Sequence, residues 1–351
     1  MNNIDIECYG YTEFYKKQIE GFNIEDKDLI PARIIEVHKS QYTIVTEFGE
    51  NDAKLKGSFF YKDEQNIIYP AIGDFVLVKH NDQGESIIYK VFERKSKFSR
   101  MDSFYEKEQV VATNFDYVFI ITSLNKDFNV KRIERYITAS FESGGMPILI
   151  LTKSDLCSDC SYYKTELEKI AIGIPILTVS SITGDGLFEL QNYIKPSETI
   201  VFLGSSGVGK SSLVNAIAGE EIMKVNHIRE DDSKGRHTTT HRQLIMLKNG
   251  SMIIDTPGMR ELAMWDVSDG LNAAFDDIKE LESECKFSNC THKSEPGCKV
   301  KSALESGDLS IKRWQNYIKL KKEDKFSKWK ESVKNRSKLK KRRKKDVDSL
   351  E

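Results

Sequence analysis

The sequence predicts a multi-domain chain: an N-terminal β-barrel of the oligonucleotide-binding (OB) type, a central α/β domain built on a P-loop, and a C-terminal helical domain that binds zinc. Three observations predict it. Short β-like runs fill residues 32–92. From Phe115 onward, apolar strand candidates alternate with helical segments and lead into GSSGVGKS at 204–211. Three cysteines and a histidine crowd into residues 285–298. At 351 residues the chain exceeds one ordinary core, so separate domains are expected, at 1–100, 110–270 and 271–351.

Residues 1–25 read as a short helical lead-in. ARIIEV, YTIVTEF, KLKGSFF, DFVLVKH and SIIYKVF follow, separated by turn signals at Phe48–Asp52, Gly73-Asp74 and Asn81–Gly84. Short strands so closely spaced suggest a small barrel. Phe59, Phe60, Tyr61 and Lys62, then Lys95, Lys97, Phe98 and Arg100, interleave aromatic and basic side chains. Stacking on bases with phosphate pairing accounts for them; so does ordinary strand packing with a charged rim.

FDYVFIITS, PILILTKSD, IPILTVSS and TIVFLGSS are candidates for buried parallel strands, with helices expected near 131–143, 161–171 and 187–194. RQLIML and SMIIDTPG flank Asn249-Gly250, a hairpin signal. The P-loop sits where its chemistry needs it, after an apolar strand and before a helix. Gly204, Ser205, Ser206, Gly207, Val208 and Gly209 would curl backbone N–H groups around phosphate oxygens. Lys210 would bridge the outer phosphates, and Ser211, followed by Ser212, would place its hydroxyl on Mg²⁺.

The base is read elsewhere. In Thr152-Lys153-Ser154-Asp155, the carboxylate can accept both the ring N–H and the exocyclic amine of guanine, a donor pair adenine lacks. The Lys153 stem can lie along the base plane. Ser180 and Ser181 end the next strand, where a backbone N–H could reach the guanine O6. Asp255, in DTPG, would reach Mg²⁺ through water, and the Gly258 N–H could bond the γ-phosphate. In GRHTTT, Thr239 is the favoured threonine for the Mg²⁺ shell. The base-reading motifs precede the P-loop, the reverse of an ordinary small GTPase, so the domain is a circular permutation.

Cys285, Cys290, His292 and Cys298 form C-x4-C-x-H-x5-C, a ligand set that matches a closed structural Zn²⁺ site. The segment is polar and turn-rich, and zinc would supply its folding energy. Cys157 and Cys160 have no partner pair nearby and read as incidental thiols. Residues 312–345 hold 17 Lys and Arg against three acids, on a chain whose net charge is −1. A basic arm on an acidic body suggests a polyanionic partner. No apolar run could span a bilayer and the N-terminus shows no export pattern, so a cytoplasmic chain is expected.

Barrel, permuted P-loop domain and cysteine module together resemble the circularly permuted ribosome-assembly GTPases of the RsgA/YjeQ family. The resemblance implies a GTPase that acts late in small-subunit maturation and is stimulated by that subunit. Barrel, zinc module and basic arm would grip rRNA, and a monomer is expected because nothing in the sequence demands a dimer. It also marks three departures from common GTPase patterns. Thr152 replaces the usual Asn, putting one loop-bracing hydrogen bond in doubt; Ser181 replaces Ala; and Met259 follows DTPG where Ras-like enzymes carry a water-positioning Gln. The permuted family shares the last change. His237 is the candidate for holding water, against a loop histidine without a role. An RNA-binding assembly factor with a regulatory pocket and negligible turnover, and a P-loop ATPase unrelated to ribosomes, are the competing readings.

Overall fold

The computed structural model describes residues 4–22, 28–38, 41–57, 68–101, 108–124, 128–223, 243–255 and 268–348. The chain divides into two compact units, Met1–Ile133 with Ser143–Leu262, and Glu134–Glu142 with Ala263–Glu351.

The first unit opens with the barrel. Strands β1 (Leu29–His38), β2 (Gln41–Thr46), β3 (Gly49–Leu55), β4 (Phe75–Lys79) and β5 (Ser86–Val91) pair in the cycle β1-β2-β3-β5-β4-β1. Alternation sets its interior. Ala32 and Ile34, Tyr42 and Ile44, Val76 and Val78 point inward with Ala53 and Ile88. Phe75 and Leu77, on the other face of β4, pack with Tyr11, Phe92 and Tyr15 of helix α1 (Glu13–Glu20).

The third strand lies earlier than the KLKGSFF run suggests. Thr46 Oγ1 donates to Gly49 O at 3.1 Å and accepts from Phe48 N at 3.1 Å. This tight turn starts β3 at Gly49, inside a stretch polar enough to read as a loop. Phe59–Lys62 lie outside the described residues.

Residues 95–100 are rim and core. Four of them, Lys97 to Arg100, lie in a hairpin that the sequence did not suggest, β6 (Lys97–Met101) with β7 (Glu108–Thr113). Phe98 is buried and stacks on Phe115 at 4.8 Å between centroids. Lys95 pairs with Asp116 at 2.7 Å, Lys97 with Glu108 at 2.9 Å, and Arg100 donates to Gln109 at 2.7 Å. Packing with a charged rim, the plainer of the two readings, holds here.

Strands β8 (Tyr117–Ser123), β9 (Met146–Thr152), β10 (Ile176–Val179), β11 (Thr199–Leu203), β12 (Gln243–Met246) and β13 (Met252–Asp255) form a sheet ordered β10-β9-β8-β11-β13-β12. All pairs are parallel except the β12–β13 hairpin. Helices α2 (Val130–Glu142), α3 (Ser161–Glu168), α4 (Leu187–Leu190) and α5 (Lys210–Ala218) occupy the crossovers. The strand cores, among them Phe119, Ile150, Ile200 and Ile253, are buried.

Barrel and α/β sheet are continuous through β1 and β12, which pair at Glu36 and Gln243. Arg33, fully buried on β1, reinforces this junction. Its guanidinium donates to the carbonyls of Tyr9, Gly73 and Asn114 and to Thr199 Oγ1, and its Nη1 lies 3.2 Å from Met252 Sδ. Thr199 and Met252 begin β11 and β13. Burial pulls Arg33 down to about 10, while Tyr15, Asp116 and Asp74 pull it back.

The second unit is helical: residues 134–142 of α2, α6 (Ser268–Ala274), α7 (Asp276–Ser283), α8 (Lys299–Ser306) and α9 (Ile311–Asp348). Its core holds Leu271, Phe275, Ile278, Val300, Leu309, Tyr317 and Leu320. The basic arm therefore begins inside a folded unit. Arg313 is buried, donating to Glu134 at 2.8 Å and to Asp277 at 2.7 Å, and Asn316 also donates to Glu134. Among the described residues no helix is long and apolar enough to cross a membrane.

Candidate nucleotide site and metal centre

The P-loop leaves the buried end of β11. A Cβ on Gly204 would come within 2.6 Å of the Ile121 carbonyl oxygen on β8, so only glycine fits there. Gly209 has φ +95°, a left-handed conformation open to glycine, and turns the chain into α5. Val208 is buried and anchors the loop from below. Ser205, Ser211 and Ser212 are half-buried, and Ser206 and Gly207 are exposed. Lys210 Nζ lies over the loop, donating to Gly204 O at 2.7 Å and Ser205 O at 2.9 Å. An ammonium and a helix N-terminus thus face one small volume, an arrangement that suits phosphate.

The segment at 152–155 meets this loop directly. Thr152, buried at the end of β9, donates from Oγ1 to Val208 O at 2.6 Å. The brace left in doubt by the loss of Asn is therefore present, made by a hydroxyl in place of an amide. Lys153 has φ +62°, and its Nζ donates to Gly207 O at 2.9 Å. Two contacts, one buried and one exposed, join loops that stand more than fifty positions apart in the chain.

Asp155 is exposed, in the turn after β9, with Ser154 half-buried beside it. Ser180 is buried at the end of β10 and donates from its hydroxyl to Asp155 Oδ1 at 2.6 Å. Its oxygen accepts from the amides of Ile182 and Thr183 at 3.2 and 3.1 Å. The Ser180 side chain thus fixes the carboxylate. The sequence predicts only a backbone role for this segment, and no local pattern marks the serine as an orienter. Ser181 is half-buried beside it.

Asp255 ends β13, next to β11. Burial pushes its carboxyl up to about 6, with Lys210 pulling the other way. Gly258, Met259, His237 and Thr239 lie outside the described residues.

The second unit carries the candidate metal centre. The ligand atoms of Cys285, Cys290, His292 and Cys298 all lie within 4.8 Å of one another. His292 Nδ1 is 3.6 Å from Cys285 Sγ and 3.5 Å from Cys298 Sγ, and the two sulfurs are 3.9 Å apart. A tetrahedron of ~2.3 Å metal–sulfur bonds spaces sulfurs by roughly 3.8 Å, so the donor set fits a single tetrahedral ion.

Supporting contacts were not legible in the sequence. The Lys301 amide donates to Cys298 Sγ at 3.3 Å, and Glu282 lies 3.6 Å from the outer His292 nitrogen. Such partners hold ligands in place. Burial pushes the Glu282 carboxyl up, but hydrogen bonds from Lys321 and Tyr317 outweigh it and hold it below the usual range. Cys157 and Cys160 belong to no metal-ligating group among the described residues.

Known proteins resemble this chain over most of its length. The family described as RsgA GTPase matches residues 91–265. A second family, described as ABC transporter, matches residues 187–350. That span includes the P-loop, but its described residues after Asp255 are without strands. "Small ribosomal subunit biogenesis GTPase RsgA 2" of Listeria monocytogenes is 45% identical over 318 residues, covering 91% of this chain and 89% of the relative. "Small ribosomal subunit biogenesis GTPase RsgA 1" of Listeria innocua is 46% identical over 319 residues, with the same coverage of 91% and 89%. YjeQ from Thermotoga maritima superposes with a TM-score of 0.63 at 28% identity, covering 84% of this chain and 98% of that one. YloQ, described as a circularly permuted GTPase, superposes at 0.62 with 27% identity, covering 87% and 98%.

Proposed function

Because the chain belongs to the RsgA GTPase family, we propose that it hydrolyses GTP to GDP and phosphate, binds the small ribosomal subunit and acts in that subunit's late maturation. The observation that carries this reading is the hydrogen bond from Thr152 to Val208, which joins the guanine-reading turn to the phosphate loop. One nucleotide can then reach Asp155 with its base and Lys210 with its phosphates.

Each residue has a distinct task. Asp155, held by Ser180, accepts the guanine donor pair. Lys210 and the loop amides offset charge on the transferring phosphoryl group. Mg²⁺ bound with the nucleotide would be held by Ser211 and Thr239, with Asp255 reaching it through water, and would supply further charge neutralisation. His237 is the proposed holder of the hydrolytic water, since the Met259 thioether cannot orient one. The Cys₃His group would hold one structural zinc and leave no ligand position open for catalysis.

Turnover is completed by docking. The chain alone is a slow GTPase, a cytoplasmic monomer, and the small subunit accelerates it. Phosphate release measured with small subunits, with large subunits and with neither tests this reading. Marked stimulation by small subunits alone supports it, and equal slow rates in all three would leave only a regulatory nucleotide pocket.

A further inference from the structure

We propose that Phe326 and Trp329 on α9 form a stacking site for unpaired nucleobases of RNA, an inference that rests on the small-subunit reading above and specifies one of its contacts.

The two rings lie side by side at 5.9 Å between centroids with their planes 24° apart, and both are exposed, at 57% and 59%. A nearly parallel aromatic pair held in water is an unusual surface for a helix. Its position follows from helical geometry. Arg313, Tyr317, Leu320 and Asp324 form the buried stripe of α9. Lys322, Phe326 and Trp329 repeat the same four-and-three spacing two positions later, which turns them by roughly 200° from the stripe. The pair therefore faces away from the core of its own unit.

Charge selects the occupant. Lys322 and Lys325 are exposed one turn before the rings, and residues 312–345 hold 17 basic side chains against three acids. A polyanion is attracted to such a helix. A bilayer surface would need a broad apolar stripe, whereas Ile311, Phe326 and Trp329 are the exposed large hydrophobics among the described residues of α9. The centre of a protein–protein contact is depleted in lysine, and here lysine surrounds the rings. A single strand of RNA satisfies both features, with a base continuing the aromatic stack and flanking phosphates meeting the lysines. Every base has a π face, so the site is tolerant of sequence. It discriminates instead between unpaired and paired RNA, because paired bases keep their faces in the duplex.

The test uses the full chain and three probes: a short oligouridine, an abasic strand of equal length, and an RNA duplex. Phe326→Ala with Trp329→Ala is expected to weaken oligouridine binding about ten- to hundredfold at physiological salt. Affinity for the abasic strand and the duplex should stay unchanged, as should the salt slope for oligouridine, because the phosphate contacts remain. Tyrosine at both positions should restore binding. An equal loss on all three probes, or no loss on any, would overturn the stacking site. So would anionic vesicles binding the wild type and losing affinity in the double alanine variant. Subunit-stimulated phosphate release by the wild-type chain separates the two levels. If stimulation is present and oligouridine binding is unaltered by the variant, only the stacking site fails; if stimulation is absent, the parent reading fails.

Discussion

Replacing Thr152 by valine exchanges its hydroxyl for a methyl group, which removes one hydrogen-bond donor and nearly keeps the shape of the side chain. The Thr152 hydroxyl can donate once. Val208 O at 2.6 Å takes that hydrogen in preference to Thr122 O at 3.3 Å. Both Thr152 and Val208 are about 1% exposed, so water cannot replace the lost donor. A buried carbonyl left without its partner costs about 1–3 kcal/mol. The P-loop relaxes to recover part of this, and relaxation moves its amides off the phosphates. The expected loss in GTP affinity is about 1–2 kcal/mol, roughly five- to thirtyfold. A fluorescent GTP analogue titrated into both proteins measures it, and the diphosphate analogue should weaken similarly, since the brace acts on the loop itself. Thr152→Asn, which also supplies a donor, should bind within a few-fold of wild type. Valine binding as tightly as threonine would refute the idea that this contact holds the two loops in register.

Arg33→Met should destabilise the first unit by ~3–5 kcal/mol, read as a lower urea midpoint, because it strips a buried guanidinium from the carbonyls of Tyr9 and Asn114; an unchanged midpoint would show that the barrel and the α/β sheet hold together without it. Metal analysis of the purified protein should find one zinc per chain, lost in Cys290→Ser together with helical signal from the second unit; full helicity without metal would contradict a structural role. Asp255 gives a pH signature in the nucleotide-free protein. Its folded value of about 6 lies above that of the unfolded chain, so its contribution to stability is fully present below about pH 4 and is lost as pH rises through 6. Asp255→Asn should therefore stabilise the protein by ~1–2 kcal/mol above pH 7, a few degrees in the thermal midpoint, and change little near pH 4; a pH-independent shift would contradict the burial of that carboxylate.

Much of the site was legible because its parts are local. Gly204 to Ser211, Thr152 to Asp155, and Cys285 to Cys298 each announce their chemistry over a few consecutive residues, and the parallel strands read as apolar runs. What stayed hidden depends on distance or on polar composition. Arg33 reaches Thr199 and Met252 across the chain, and Ser180 orients Asp155 from another strand end; no window on the sequence contains either pair. β3 is built from polar residues, and the β6–β7 hairpin mixes polar with apolar ones; their partners, not their own pattern, make them strands. Phe98 shows the converse. Its basic neighbours suggested a nucleic-acid surface, but Phe115 covers the ring.

A single guanosine triphosphate is expected to bridge Asp155 and Lys210 and to be turned over on the small subunit. Phosphate release from GTP and from xanthosine triphosphate, with small subunits present, tests it in wild type and in Asp155→Asn. The variant is expected to lose GTP turnover and gain xanthosine triphosphate turnover, because the amide now complements the xanthine edge. A variant that still prefers GTP, at a rate the small subunit raises as before, would contradict it.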